Sequence, residues 1–299
     1  MSPVQISSSA ATYSASTVPA FQKRIAGFDA NPADALDALW LNENGAVGDV
    51  VTQLVDSSGN GRHATPIPGS GTIKRIAGGV EIADGAAGPG FAFNTGLSAK
   101  RDFTAFGCVR QDQLYEPGTN KNFPTFFGRF ESLLTANQIG GASRPLLDNP
   151  NLVINQDLSG TSSLRSRIQA YRNDPLKWVT PSTNVKVVDK LVAPSNNGIG
   201  YFTFALSLNM TTKRMSFVSG LNPSQLQYDD NQETAIVDEI LATAAWTVML
   251  SHMRGNTVTT VQGGVGLFGV YGRYMRATAC LDLITRMQAR MALRGVTAY

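Results

Sequence analysis

Asp56-Ser57-Ser58-Gly59-Asn60-Gly61, preceded by Trp40-Leu41-Asn42-Glu43 and followed by Arg62-His63-Ala64-Thr65, is the stretch that decides how the rest of the chain is read. Gly59 and Gly61 flank an Asn and are entered through an Asp and two serines. An Asp side chain can hydrogen-bond its own backbone, and Gly supplies positive φ without a steric penalty. The pattern predicts a tight turn between two strands. Around it the apolar runs are short: Val50, Thr52 and Leu54, then Ile73, Val80 to Ile82, Phe91 to Phe93 and Phe103 to Val109, punctuated by Gly, Pro and Asp. Such spacing is the signature of a β-sandwich. Composition agrees, because 29 glycines and 14 prolines in 299 residues, with 42% hydrophobic and 16% charged, imply many turns rather than a helical bundle.

Residues 1 to 27 are rich in Ser, Ala and Thr, with almost no apolar periodicity. They read as an arm that cannot fold alone, leaving 28 to 299 as one sandwich domain. From Pro32 to Leu41 the spacing of Leu36, Leu39 and Trp40 suggests a short helical turn behind Asn31-Pro32. In the middle, Phe123 to Gly128, Leu152 to Ile154 and Leu164 to Tyr171 are strand candidates between long loops. Gly200 to Leu208 reads as a central strand, Asn209 to Arg214 as a polar turn, and Met215 to Gly220 as the returning strand. Asp238 to Ala245 reads as a brief helix, and Thr247 to Leu250 and Gly264 to Tyr271 as strands. Over 277 to 294 the period changes to that of a helix, with Leu281, Ile284, Met287 or Gln288, and Met291 on one face, Arg286, Arg290 and Arg294 near its end and Gly295 as its stop.

The order of these features resembles the laminin-G-like, concanavalin A-like jelly rolls. The residues that carry the likeness are the Asp56 to Gly61 turn, Gly78-Gly79-Val80-Glu81-Ile82 after it, then Phe103-Thr104 through Val109-Arg110, the hairpin closing at Gly220, and Tyr271-Gly272-Arg273 before the final helix. The resemblance spans about residues 35 to 295. It implies an all-β jelly-roll sandwich with an N-terminal arm and a short C-terminal helix.

Glycosidases of this fold carry a Glu-x-Asp-x-x-Glu run that sets two carboxylates on one face of a strand. This chain has none; Asp229, Asp230 and Glu233, and Asp238 with Glu239, read as solvated loop or helix residues. His63 and His252 are the two histidines, which leaves no His-rich metal site and no evident Ser-His-Asp arrangement, and Ser251-His252, flanked by Leu250 and Met253, has no adjacent carboxylate to orient the imidazole. Gly263-Gly264-Val265-Gly266 lacks the helix and acidic residue of a dinucleotide fingerprint. An enzyme is therefore not expected. In many relatives loops at one rim hold calcium, so the resemblance nominates Asp56 and Asn60 as oxygen ligands; the other reading is that Asp56 caps its own turn. A glycan site needs aromatics and hydrogen-bonding side chains, which Trp178, Tyr171 and Tyr115 with Asn196 and Asn197 could supply, or these could be rim packing.

A formal charge of +3, from 25 basic and 22 acidic residues, forms no basic stripe for nucleic acid. No apolar run approaches the length of a membrane span, and residues 1 to 20 lack a secretory signal pattern. Cys108 and Cys280 read as buried thiols. Together these features resemble a tailed-phage virion component, a capsid decoration, tail or fibre subunit. Such a protein would be made in the host cytoplasm, would be homo-oligomeric, and would join other virion subunits through its arm. The alternative is a carbohydrate-binding module that recognises a host-surface glycan.

Overall fold

The computed structural model describes residues 28, 36–66, 71–82, 91–98, 102–111, 124–130, 150–156, 164–170, 186–192, 200–209, 211–212, 214–220, 227–229, 245–252 and 263–299. Its strands are β1 (Leu36–Trp40), β2 (Thr65–Pro66), β3 (Ile73–Ile76), β4 (Gly79–Ile82), β5 (Phe91–Ser98), β6 (Phe103–Gln111), β7 (Pro124–Phe130) and β8 (Pro150–Gln156). They continue with β9 (Leu164–Ala170), β10 (Lys186–Val192), β11 (Gly200–Asn209), β12 (Arg214–Ser219), β13 (Gln227–Asp229), β14 (Ala245–His252) and β15 (Gly263–Tyr271). Among the described residues one helix, α1 (Ala277–Ala292), follows. The described residues form an all-β jelly-roll sandwich closed by this C-terminal helix.

The first sheet runs β13-β12-β11-β6-β15-β4-β3, and the second runs β10-β9-β8-β7-β14-β5-β2. Among the described residues every strand pairing is antiparallel. β4 and β1 share one edge of β15 end to end, β4 pairing at Gly264 and Val265 and β1 at Phe268 to Tyr271. Asn42 fills the gap between them: its Nδ2 donates to the Gly266 carbonyl at 2.9 Å, from a backbone at φ 56°. The stretch from Leu36 to Trp40 is therefore a strand, not the helical turn its spacing suggests. Ala38, Leu39 and Trp40 are all buried, so the alternation that betrays a half-exposed strand is missing. Asn31-Pro32, and all of the expected 238–245 helix except Ala245, lie outside the described residues. Ala245 begins β14.

The central strands β11 and β15 of the first sheet are buried on both faces. On β11 the even positions Phe202, Phe204, Leu206 and Leu208 form one apolar face, where Phe204 meets Phe268 of β15 at 5.8 Å between ring centroids. The odd positions Tyr201, Thr203, Ala205 and Ser207 are small or polar and lie under α1, which packs on β11, β12 and β6. The helix turns Ala277, Cys280, Ile284, Met287 and Met291 onto this face, a 3–4 spacing that makes one stripe. Leu281, expected in that stripe, is only partly buried at its edge. Ser207 Oγ accepts from Met275 N at 2.7 Å and pairs with Thr104 Oγ1 at 2.7 Å, which fixes the chain as it enters the helix. Cys108 and Cys280 are buried free thiols in the same core. Phe28 plugs that core as well, stacked on Phe106 at 5.7 Å, its carbonyl accepting from Tyr271 Oη at 2.9 Å.

Candidate functional site

Gly59 and Gly61 sit at φ 91° and 69°, so the turn after Asp56 is made by two left-handed glycines. Asp56 is 5% exposed and accepts four hydrogen bonds. Its Oδ1 takes the amides of Leu39 (3.0 Å) and Ser58 (2.9 Å), and its Oδ2 takes Ser58 Oγ (2.8 Å) and the Arg62 amide (2.9 Å). Asp56 N donates to His63 Nδ1 at 3.1 Å, which makes His63 part of the same turn. Asn60 Nδ2 donates to the carbonyls of Leu36 (2.7 Å) and Asp37 (3.0 Å), and Trp40 Nε1 donates to Arg62 O (2.7 Å). The turn is thereby stitched to β1. Donors occupy the Asp56 carboxylate at each of the positions where a hard cation would need it, so the geometry is that of a cap. Among the described residues no group of three or more His, Cys, Asp or Glu is placed to hold a metal ion.

Directly after β1, Glu43 meets α1. Its carboxylate accepts from Arg290 Nε at 2.8 Å and from Arg294 Nε at 2.8 Å, and a second bond comes from Arg290 Nη2. Arg294 also donates to the Leu41 carbonyl at 2.8 Å, and its side chain is 7% exposed. Burial pushes the Glu43 carboxyl up, but the hydrogen bonds and charges of Arg290 and Arg294 outweigh it and hold it below its ordinary value. This clamp ties the last turn of the helix to the loop after β1. The arginines were legible as partners of the helix dipole; their shared carboxylate, some 250 residues away in sequence, was not.

Past Gly295, at φ 72°, the chain returns to the first sheet. β12 stops at Ser219, so β11 would be unpaired on that side over its first residues. The last residues fill the gap: Tyr299 N donates to Tyr201 O at 2.9 Å, and the Tyr299 carbonyl accepts from Thr203 N (2.6 Å) and Thr203 Oγ1 (2.8 Å). Gly220 makes room, because a Cβ there would run into the main-chain carbonyl of Tyr299. Between this tail and the helix lies an open groove of about 620 Å3, lined among others by Gln288, Ala289 and Ala292 of α1 and by Gly295, Ala298 and Tyr299. Sequence reading gave no sign of it, since main-chain pairing leaves no residue pattern.

Trp178, Tyr171 and Asn196, with Tyr115 and Asn197, lie outside the described residues. His252 ends β14. The structure therefore assembles the Asp56 turn and does not place the proposed sugar platform.

No family model matches the sequence, and no curated protein matches it. Solved structures do match in fold. The binding domain of a botulinum neurotoxin of serotype D/C superposes at a TM-score of 0.53 with 12% identity, over 85% of this chain and 52% of that one. A structure of botulinum neurotoxin type C, which interacts with two ganglioside molecules, gives 0.53 and 11% over 86% and 52%. Trypanosoma rangeli sialidase in complex with sialic acid gives 0.49 and 11% over 86% and 33%. The chain thus spans between a third and about half of the length of these proteins. At such identities the likeness to the two neurotoxin structures shows a shared β-sandwich fold and no more.

Proposed function

We propose that this chain is a non-enzymatic structural subunit of a bacteriophage particle, a capsid decoration, tail or fibre component built on a lectin-like sandwich. The observation that supports the reading is that Phe28, which follows a Ser/Ala-rich segment with no apolar pattern, is fixed in the core under α1 by its stack on Phe106 and by the bond its carbonyl accepts from Tyr271. Residues 1–27 are then the arm that joins neighbouring subunits, and 28–299 the domain it is anchored to at Phe28. Electron microscopy of particles labelled with an antibody against this chain tests it. Label at a fixed position on the particle is the expected result, and particles that never carry it remove the proposal.

The second reading is a module that recognises a glycan, with Trp178, Tyr171 and Asn196 as the contact residues. The fold likeness to a botulinum neurotoxin binding domain favours it. A glycan array probed with the purified chain separates the two, since only this reading expects a saturable hit that Trp178→Ala abolishes.

A further inference from the structure

The groove beside the tail has an unfinished strand edge. Tyr299 turns its N–H and C=O toward β11, so the pleat sends those of Ala298 to the opposite side, where they have no hydrogen bond among the described residues. Ala298 lines the groove, and the wall across from it is the exposed flank of α1. That wall runs from Thr285 to Ala292, about 10 Å at the helical rise, and its Ala289 and Ala292 present no bulk. About three residues of extended chain fit along it. An occupant that pairs along this edge is therefore extended and offers main-chain groups to Ala298.

The chain carries one long segment with no apolar pattern of its own to bury. Ser7-Ser8-Ser9-Ala10-Ala11-Thr12 and Ser14-Ala15-Ser16-Thr17 lie in residues 1–27, which precede Phe28. Phe28 is rooted in the core shared with α1, on the side of the first sheet that bears the groove. Twenty-seven residues span at most about 90 Å, against a radius of gyration of about 18 Å for a domain this size. The arm is long enough to reach a neighbour.

Resting on the assembly reading above, we propose that the groove between α1 and the Val296–Tyr299 tail is a strand-docking site for the Ser/Ala-rich arm of a second copy of this chain. The arm lies against Ala289 and Ala292 and pairs with the main chain of Ala298.

Sedimentation of the full chain, of Ala289→Trp and of Ala298→Pro tests it, beside titration with a synthetic peptide of residues 2–20. Ala289 is exposed on the helix, so tryptophan there fills the groove without entering the core. The expected result is a wild-type multimer, reduction of both variants to the mass of one chain with unchanged thermal midpoints, and dissociation of the wild type by excess peptide. A multimer that both variants preserve and the peptide leaves intact overturns the docking site while sparing the assembly reading. A chain that is monomeric at every concentration overturns both. A monomer whose arm becomes protease-sensitive only in Ala289→Trp shows the arm bound to its own groove, which overturns the second-copy assignment.

Discussion

Asp56 shows how one side chain can set a turn that spacing only suggests. Leu39 N is the most consequential of its donors, because it lies in a strand that is buried on both faces. Asp56→Ala strands that amide away from water, and an unsatisfied buried donor costs about 1–3 kcal/mol. Urea unfolding should register the loss as a lower midpoint at unchanged slope, and an unaltered midpoint would show the cap to be dispensable. Chelators should leave the wild-type midpoint in place, since the carboxylate already faces four donors; a fall reversed by added calcium would contradict the cap geometry. Gly61 tests the backbone alone. Its φ is 69° and nothing lies within 4 Å of where a Cβ would stand, so Gly61→Val is strained by conformation and not by contact. The left-handed region costs a non-glycine residue about 1–2 kcal/mol, and denaturation of the variant reads that directly. The two glycines and the Asp were visible in the sequence; Leu39 as the Asp56 partner was not, because it comes from a strand that sequence spacing disguised.

Elements repeat that lesson. β11 and β15 were legible because long apolar runs with β-branched and aromatic residues suit strands buried on both faces. β1 has the same burial but five residues, and Leu36, Leu39 and Trp40 match a helical period by chance of where Asp37 falls. The C-terminal helix was legible from its period, while what holds its end was not. Glu43 is the tie, and its effect has a sign. Its folded pKa lies below the ordinary value of 4.5, so it contributes stability above that value, and the contribution is lost as pH falls through the folded pKa. Melting curves taken downward from pH 6 should show the wild type losing stability below about pH 4.5 more steeply than Glu43→Gln, which is less stable at pH 6 and flatter below it. Parallel pH profiles would mean the clamp contributes nothing. Burial raises the Cys108 thiol well above its ordinary value and pushes Cys280 up to about 12, so both are protonated at neutral pH. A thiol reagent should label neither cysteine until the chain is unfolded and both afterwards; fast labelling of the native protein would place a thiol at the surface.

At the scale of the molecule, the sandwich and its arm follow different rules. The domain's cohesion lies in a sheet whose central strands are covered on both sides, with the helix-side core running from Phe28 through Phe106 and Tyr271 to Met287 and Met291. Residues before Phe28 carry no comparable apolar pattern, so they have little to add to that core. Phe28 marks the division: its ring stacks on Phe106, and its carbonyl holds the Tyr271 hydroxyl. Phe106 in turn lies 5.3 Å from the Tyr271 ring, so the three aromatics form one stack across β6 and β15. Deleting residues 2–27 leaves this stack intact and should leave the thermal midpoint unchanged. The same deletion should lower the sedimentation mass if the arm joins copies, because the segment that reaches the neighbour is gone. The two readouts divide the possibilities: a truncated chain that unfolds shows that the arm belongs to the domain, and one that keeps both its midpoint and its mass shows that the arm joins nothing.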